Sequence, residues 1–309
     1  MSVEPMLTDD LMRRVERLVL QARARISGTM QGKRRSVRLG GSMEFADYRP
    51  YAPGDDLRRL DWHVYARTGK PYIKQYLDEQ EVDIYLYVDV TASMGFPAGK
   101  CETGREGIGQ RSGWTKLDVA CRLAACVGYA ALCSYDRVSI NLFGERLSAR
   151  LSPLRGKGSA FRMFDFLQHV AMEPRGDLAG VFMNSASLPA RPGISFVFSD
   201  FLFAHGVEDS LKALRAARQE VVAVQILSPE ELTPNLSGDL RLIDSETNTG
   251  KEVAISMSVL KAYERSVHRL TRHLERFCFE QGIVHQLAVT SVPVEDMVLR
   301  EFRRKGIFH

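Results

Sequence analysis

The sequence contains no run of about 18 apolar residues of the kind a membrane-spanning helix needs. The nearest stretch, VACRLAACVGYAALC from 119 to 133, is too short and carries Arg122. The start, MSVEPMLTDDLMRR, lacks the apolar core of a secretory signal, so the expected location is the cytoplasm. Cysteines are few and odd in number, at 101, 121, 126, 133 and 278, with no Cys-x-x-Cys pair. That excludes a disulfide framework and a zinc site, and the three between 121 and 133 read as small core residues of one apolar helix. Catalytic signatures are missing as well. No GxSxG or HExxH occurs, and GREGIGQ places Gln110 where a phosphate-binding loop needs lysine. Ser258-x-x-Lys261 lacks the companion motifs of a serine acylase, and His268 and His273 lie five residues apart, off a common helical face. A non-catalytic protein is expected.

What is present is ordinary globular material. With 309 residues, 45% apolar and 26% charged, the chain can bury a large core and shows no bias toward disorder. Charge is uneven: residues 1–40 hold nine Lys or Arg against four Asp or Glu, so this segment exceeds the net +4 of the whole chain. Such a segment meets nucleic acid, an anionic surface or an acidic protein face, or is simply a solvated helix and loop. A nucleic-acid-binding module built on Lys33, Arg34, Arg35 and Arg38 is the alternative function from a different class.

Two segments are expected, 1–81 and 82–309. In the first, Leu11, Val15, Leu18, Ala22 and Ile26 predict a helix from Asp9 to Ile26, capped by Thr8 and followed by Gly28. GKRRSVRLGG then reads as a basic loop. Asp55 or Asp56 can cap a short helix through Leu57, Leu60 and Val64, and PYIKQYL alternates like an exposed strand. From Val82 strands and helices alternate, which predicts a doubly wound, mostly parallel α/β sheet covered on both faces, with the N-terminal helical and strand segment packed on it. Ligands of such sheets bind outside the carboxyl ends of the strands. Asp89 and Asp200 each end an apolar strand and belong at that edge, bordered by a long loop from Gly95 to Gly113 that would gate it.

The segment DIYLYVDVTASM puts Asp89, Thr91 and Ser93 at the mouth of a buried strand. Three oxygens there serve either as caps of the following turn or as ligands of a small hard cation. Asp89-x-Thr91-x-Ser93 resembles the DxSxS signature of von Willebrand factor A domains, whose metal-ion-dependent adhesion site holds Mg²⁺, with Mn²⁺ or Ca²⁺ as substitutes. The resemblance implies a Rossmann-type fold, Asp200 as a third-motif aspartate and a partner's carboxylate at the open coordination position. Asp177, in EPRGDLAG, stands where the family carries threonine, and a carboxylate there would have to replace that ligand.

A longer motif narrows the resemblance. Arg49, Tyr51, Gly54, Asp55, Asp56, Arg58, Leu60, Asp61, Trp62, Ala66 and Arg67, followed by the DxSxS-like segment, LIDSETNTG and the tail LREFRRKGI, are similar to the domain-of-unknown-function-58 family. That likeness implies a partner, a MoxR-type AAA+ ATPase, and a role as adaptor in assembling or activating a client complex. The motif's alternating charges allow two readings, a partner-docking surface or an ion-pair clasp anchored by Trp62. Mutual satisfaction of so many charges favours the clasp.

Overall fold

The computed structural model describes residues 5–20, 44–77, 81–97, 114–234, 238–243 and 250–309. The chain divides into two compact units, 27–81 and 1–26 with 82–309, so the first helix, expected with the motif segment, belongs to the α/β unit.

That helix, α1 (Asp9–Val15), begins as expected, the Thr8 hydroxyl accepting from the Leu11 amide at 3.3 Å. It stops well short of Ile26. Leu18 and Leu20 are still buried, but Leu20 bridges to Phe308 in strand fashion, so tertiary pairing overrides helical periodicity. The remainder of the expected helix and the basic loop GKRRSVRLGG lie outside the described residues.

In the smaller unit, β1 (Glu44–Pro50) and β2 (Tyr72–Leu77) form an antiparallel pair. Between them the single expected helix is split into a 3₁₀ turn, Leu57–Arg59, and α2 (Trp62–Thr68). Leu60 causes the break: it is extended and bridges to Ile73, so the chain must restart its helix. The caps divide accordingly. Asp56 accepts from the Arg58 amide at 3.0 Å, and Asp61 accepts from the amides of His63 and Val64 at 2.9 and 3.2 Å.

The larger unit runs β3 (Asp83–Asp89), α3 (Lys116–Cys133), β4 (Arg137–Phe143), β5 (Leu147–Leu154), α4 (Ala160–Gln168) and α5 (Leu178–Phe182). It continues with β6 (Gly193–Ser199), α6 (Val207–Ala216), β7 (Gln219–Leu227), α7 (Pro229–Leu232), a hairpin of β8 (Gly238–Ile243) and β9 (Gly250–Ile255), α8 (Met257–Glu280) and β10 (Val284–Val289). A helical run through Phe302–Arg304 closes the chain. The six-stranded sheet has the order β10-β7-β6-β3-β4-β5, with β5 antiparallel and every other pairing parallel.

Both faces are covered, as a doubly wound sheet requires. Along β3 and just beyond it, Ile84, Leu86, Val88 and Val90 enter one core with α1, α3, α4 and the C-terminal run. Tyr85 and Tyr87 enter the other with α5, α6 and α8. The chain leaves β3 toward β4 on one side and β6 toward β7 on the other, so the sheet's topological switch point lies between β3 and β6.

Candidate functional site at the β3–β6 edge

Asp89 is the last residue of β3, and Asp200 follows the end of the neighbouring β6. Both are buried, and the turns after them are built by their own side chains. One Asp89 oxygen accepts from the Thr91 amide at 3.0 Å, and the other accepts from the Ser199 hydroxyl at 2.6 Å. Asp200 Oδ1 accepts from the Leu202 amide at 3.0 Å. The intervening Phe201 sits at φ 54, a left-handed conformation disfavoured for a bulky residue, and its amide donates to Ser199 Oγ. The hydroxyls of Thr91 and Ser93 lie 3.0 Å apart and so face the same way. Thr91 is buried, while Ser93 is half-buried and is the member of the set that reaches the surface.

The loop before α5 packs against the segment that follows β3. The Glu173 amide donates to the Val90 carbonyl at 2.7 Å, and a side chain on Gly176 would stand 2.3 Å from the Thr91 methyl. Asp177 does not join the cluster as expected. It heads α5 with its carboxylate against Gly180, and no described hydrogen bond or ion pair links it to Asp89, Thr91, Ser93 or Asp200. The physical reason lies in the backbone: the Asp177 amide is tied to the Gly144 carbonyl at 3.1 Å and its side chain folds along its own helix. The expected gating loop lies mostly outside the described residues.

Sequence reasoning missed the cation already present. Lys116, first residue of α3, is 1% exposed, and its ammonium donates to Asp200 Oδ2 at 2.8 Å and to Glu231 Oε1 at 2.6 Å. Burial pulls the Lys116 pKa down, but the two carboxylates outweigh it and the ammonium is held above its ordinary range. Glu231 is fixed in turn by a capping box, its other oxygen accepting from the Ser228 amide at 2.8 Å. Behind Asp200, Gln225 donates to the Asp200 carbonyl at 3.2 Å and meets His285 at 3.2 Å.

Among the described residues Asp89 has no such partner. Burial first, and the charge of Asp200 second, push its carboxyl up to about 7. When all three carboxylates are ionised, Asp89, Asp200 and Glu231 exceed the single charge of Lys116 by two. This is the charge a divalent ion carries, and two hydroxyls beside two carboxylates are hard oxygen donors of the kind Mg²⁺ accepts. The donor set therefore fits the expected group in chemistry and charge. It is not a cage of acids: among the described residues no cluster of three or more His, Cys, Asp or Glu is placed to hold a metal.

The motif of the smaller unit is satisfied mainly within itself. Arg49 grips Asp55 through two hydrogen bonds of 2.6 Å and holds its carboxyl down to about 2. Asp55 also accepts from the Ala52 amide at 2.8 Å, and the Tyr51 amide donates to the Pro71 carbonyl at 2.9 Å. Gly54 takes φ 100 in the turn, where a side chain is disfavoured. Arg58 and Arg67 are exposed. Trp62, expected as an apolar anchor, is 60% exposed and stands edge-on to Tyr65. The anchoring residue is Asp61, buried, which caps α2 and accepts from the Tyr48 hydroxyl at 2.7 Å. Asp61→Ala is expected to lower the stability of this unit by about 1–3 kcal/mol, the cost of a lost cap and of the hydrogen bond from the Tyr48 hydroxyl. Urea unfolding followed by tryptophan fluorescence checks this, and an unchanged midpoint would remove Asp61 from its structural role.

The family described as protein of unknown function DUF58 matches residues 47–273. Two uncharacterized proteins, Mb1516 of Mycobacterium bovis and Rv1480 of Mycobacterium tuberculosis, are each 28% identical over 253 residues, covering 81% of this chain and 75% of theirs. Among solved structures, the conserved hypothetical protein BatB from Bacteroides thetaiotaomicron aligns with 72% of this chain and 98% of its own, at 12% identity and a TM-score of 0.38. An aerotolerance-related membrane protein from Bacteroides fragilis aligns with 72% and 99%, at 11% identity and a TM-score of 0.39. An uncharacterized membrane spanning protein from Vibrio fischeri aligns with 73% and 98%, at 14% identity and a TM-score of 0.24. The last two are described as membrane proteins, a description at odds with the cytoplasmic placement expected from the sequence. Among the described residues, no helix is long and apolar enough to cross a membrane.

Proposed function

Since the chain belongs to the family described as protein of unknown function DUF58, we propose for it a non-catalytic, protein-binding role. In this reading the larger unit is von Willebrand factor A-like, and its β3–β6 edge holds Mg²⁺ between the hydroxyls of Thr91 and Ser93 and the carboxylates of Asp89 and Asp200. A partner's Asp or Glu enters beside Ser93 and completes the coordination. The partner is the one the family resemblance implies, a MoxR-type AAA+ ATPase, with this chain as adaptor to a client complex.

One observation carries the reading. Asp89 is buried at the switch point of the sheet, where α/β proteins bind ligands, and among the described residues no ammonium or guanidinium neutralises it. A buried carboxylate at such an edge, without a counter-charge among the described residues, is a candidate ligand for a cation. The bound ion supplies a positive charge, and the chain's own groups orient it.

The test is binding of a purified MoxR-type ATPase from the same host, by surface plasmon resonance, in Mg²⁺ and in chelator. The wild-type chain is expected to lose affinity at least about tenfold in chelator, as one lost charge-assisted contact implies. Asp89→Ala should reproduce that loss in Mg²⁺. Binding indifferent to both changes would place the partner on another surface and end the cation reading.

A further inference from the structure

We propose that Lys116 is a tethered, displaceable cation: its ammonium competes with a divalent ion for Asp200, and Glu231 is the seat to which it withdraws. The inference rests on the cation reading above and deepens it by naming what regulates occupancy.

Lys116 is in an unusual place for a structural lysine. It occupies the first position of α3, where the positive end of the helix dipole disfavours a cation. Its ammonium is removed from water at the start of a helix whose body is almost wholly buried. Two carboxylates, 84 and 115 residues away in sequence, hold it there. They are not equivalent. Glu231 is fixed by its capping box, so its free oxygen is a preformed receptor for an ammonium whether or not Asp200 is available. Asp200 has one oxygen committed to the Leu202 amide, and the other, Oδ2, is the atom Lys116 holds. An ion drawing on that second oxygen must share it with the ammonium or take it. A lysine stem is long and flexible enough to rotate from one carboxylate to the other without moving the backbone.

The experiment is calorimetric titration of the full chain with Mg²⁺ and with Mn²⁺, comparing wild type, Lys116→Gln, Glu231→Gln and the double variant. Gln at 231 retains the capping box. Removing the competing charge is expected to tighten ion binding by about tenfold or more, given the strength of charge pairs at this separation. Glu231→Gln, which leaves Asp200 as the sole partner of Lys116, is expected to weaken it about threefold or more. That effect should vanish in the Lys116→Gln background, because it runs through the lysine. Equal affinity of wild type and Lys116→Gln overturns the inference and leaves the cation reading standing. Binding by Lys116→Gln with none by wild type supports the inference and removes the cation reading from the native protein. No binding by either overturns both. If Lys116→Gln alone does not fold, the double variant, which strands one carboxylate fewer, is compared with Glu231→Gln: tighter binding by the double variant supports the competition, and equal binding overturns it.

Discussion

Asp89→Asn melts higher than the wild-type protein at pH 8 in chelator, and its stability no longer declines between pH 4 and 7. Asp89 is fully buried, and burial together with the charge of Asp200 raises its carboxyl from the ordinary carboxylate range to about 7. The sign follows from linkage. Below pH 4 the group is neutral in both states; as pH rises toward 7 the unfolded chain releases the proton and the folded one retains it. Folding stability is therefore lost across that window and stays lost above it. A shift of this size corresponds to at most about 4 kcal/mol, since each pH unit is worth 1.36 kcal/mol.

Asparagine keeps an acceptor for the Thr91 amide and offers a donor to Ser199 Oγ while removing the charge. For a unit of this size a gain of about 2 kcal/mol raises the melting temperature by roughly 4–8 °C. A variant that melts lower, or keeps the wild-type pH dependence, would show that Asp89 is a structural cap whose charge the fold tolerates without cost. The stabilised variant should also lose ion binding, because the charge that costs stability is the one the ion uses.

Lys116→Met is the second large effect, in the opposite direction. Methionine fills most of the lysine's volume, so packing changes little, but Asp200 and Glu231 lose the ammonium that pairs them. Breaking a buried pair from one side typically costs about 3–5 kcal/mol, because a charge is left without compensation. Guanidinium unfolding in chelator measures this. The same substitution combined with Asp200→Asn and Glu231→Gln removes the stranded charges and is expected to recover most of the loss. A Lys116→Met protein as stable as wild type would mean that the triad is open to water in solution.

The outline of this molecule was legible because β-branched and aromatic runs such as those of β3, β6 and β7 leave few alternatives to buried parallel strands. Asp89 and Asp200 could be placed at one edge because each interrupts such a run at its carboxyl end. Local signals were weaker wherever a distant partner decides the outcome. Leu11, Val15 and Leu18 continue a helical rhythm, yet Leu20 leaves the helix to pair with Phe308 at the far end of the chain. Asp55, Asp56 and Asp61 are equally able caps by residue type; Asp61 caps α2 because Leu60 is drawn into an extended pairing with Ile73.

Lys116 was hidden for a related reason. A lysine after a Thr cap reads as solvated surface, and nothing nearby in sequence announces Asp200 or Glu231. The one available signal was the apolar character of α3 from Leu117 to Leu132, broken only by Asp118 and Arg122, which leaves its first residue little surface to reach. Trp62 misled in the opposite way: a rare large aromatic beside buried Asp61 suggested a core anchor, yet it is the carboxylate that is enclosed.

Manganese titration followed by electron paramagnetic resonance, on the wild-type chain and on Asp89→Ala, tests the oxygen cluster as an ion site most directly. The account expects one equivalent of Mn²⁺ bound by the wild type, displaced by Mg²⁺, with affinity reduced at least about tenfold in the variant, the loss of one charged ligand. Equal uptake by the two proteins, or none by either, would contradict it.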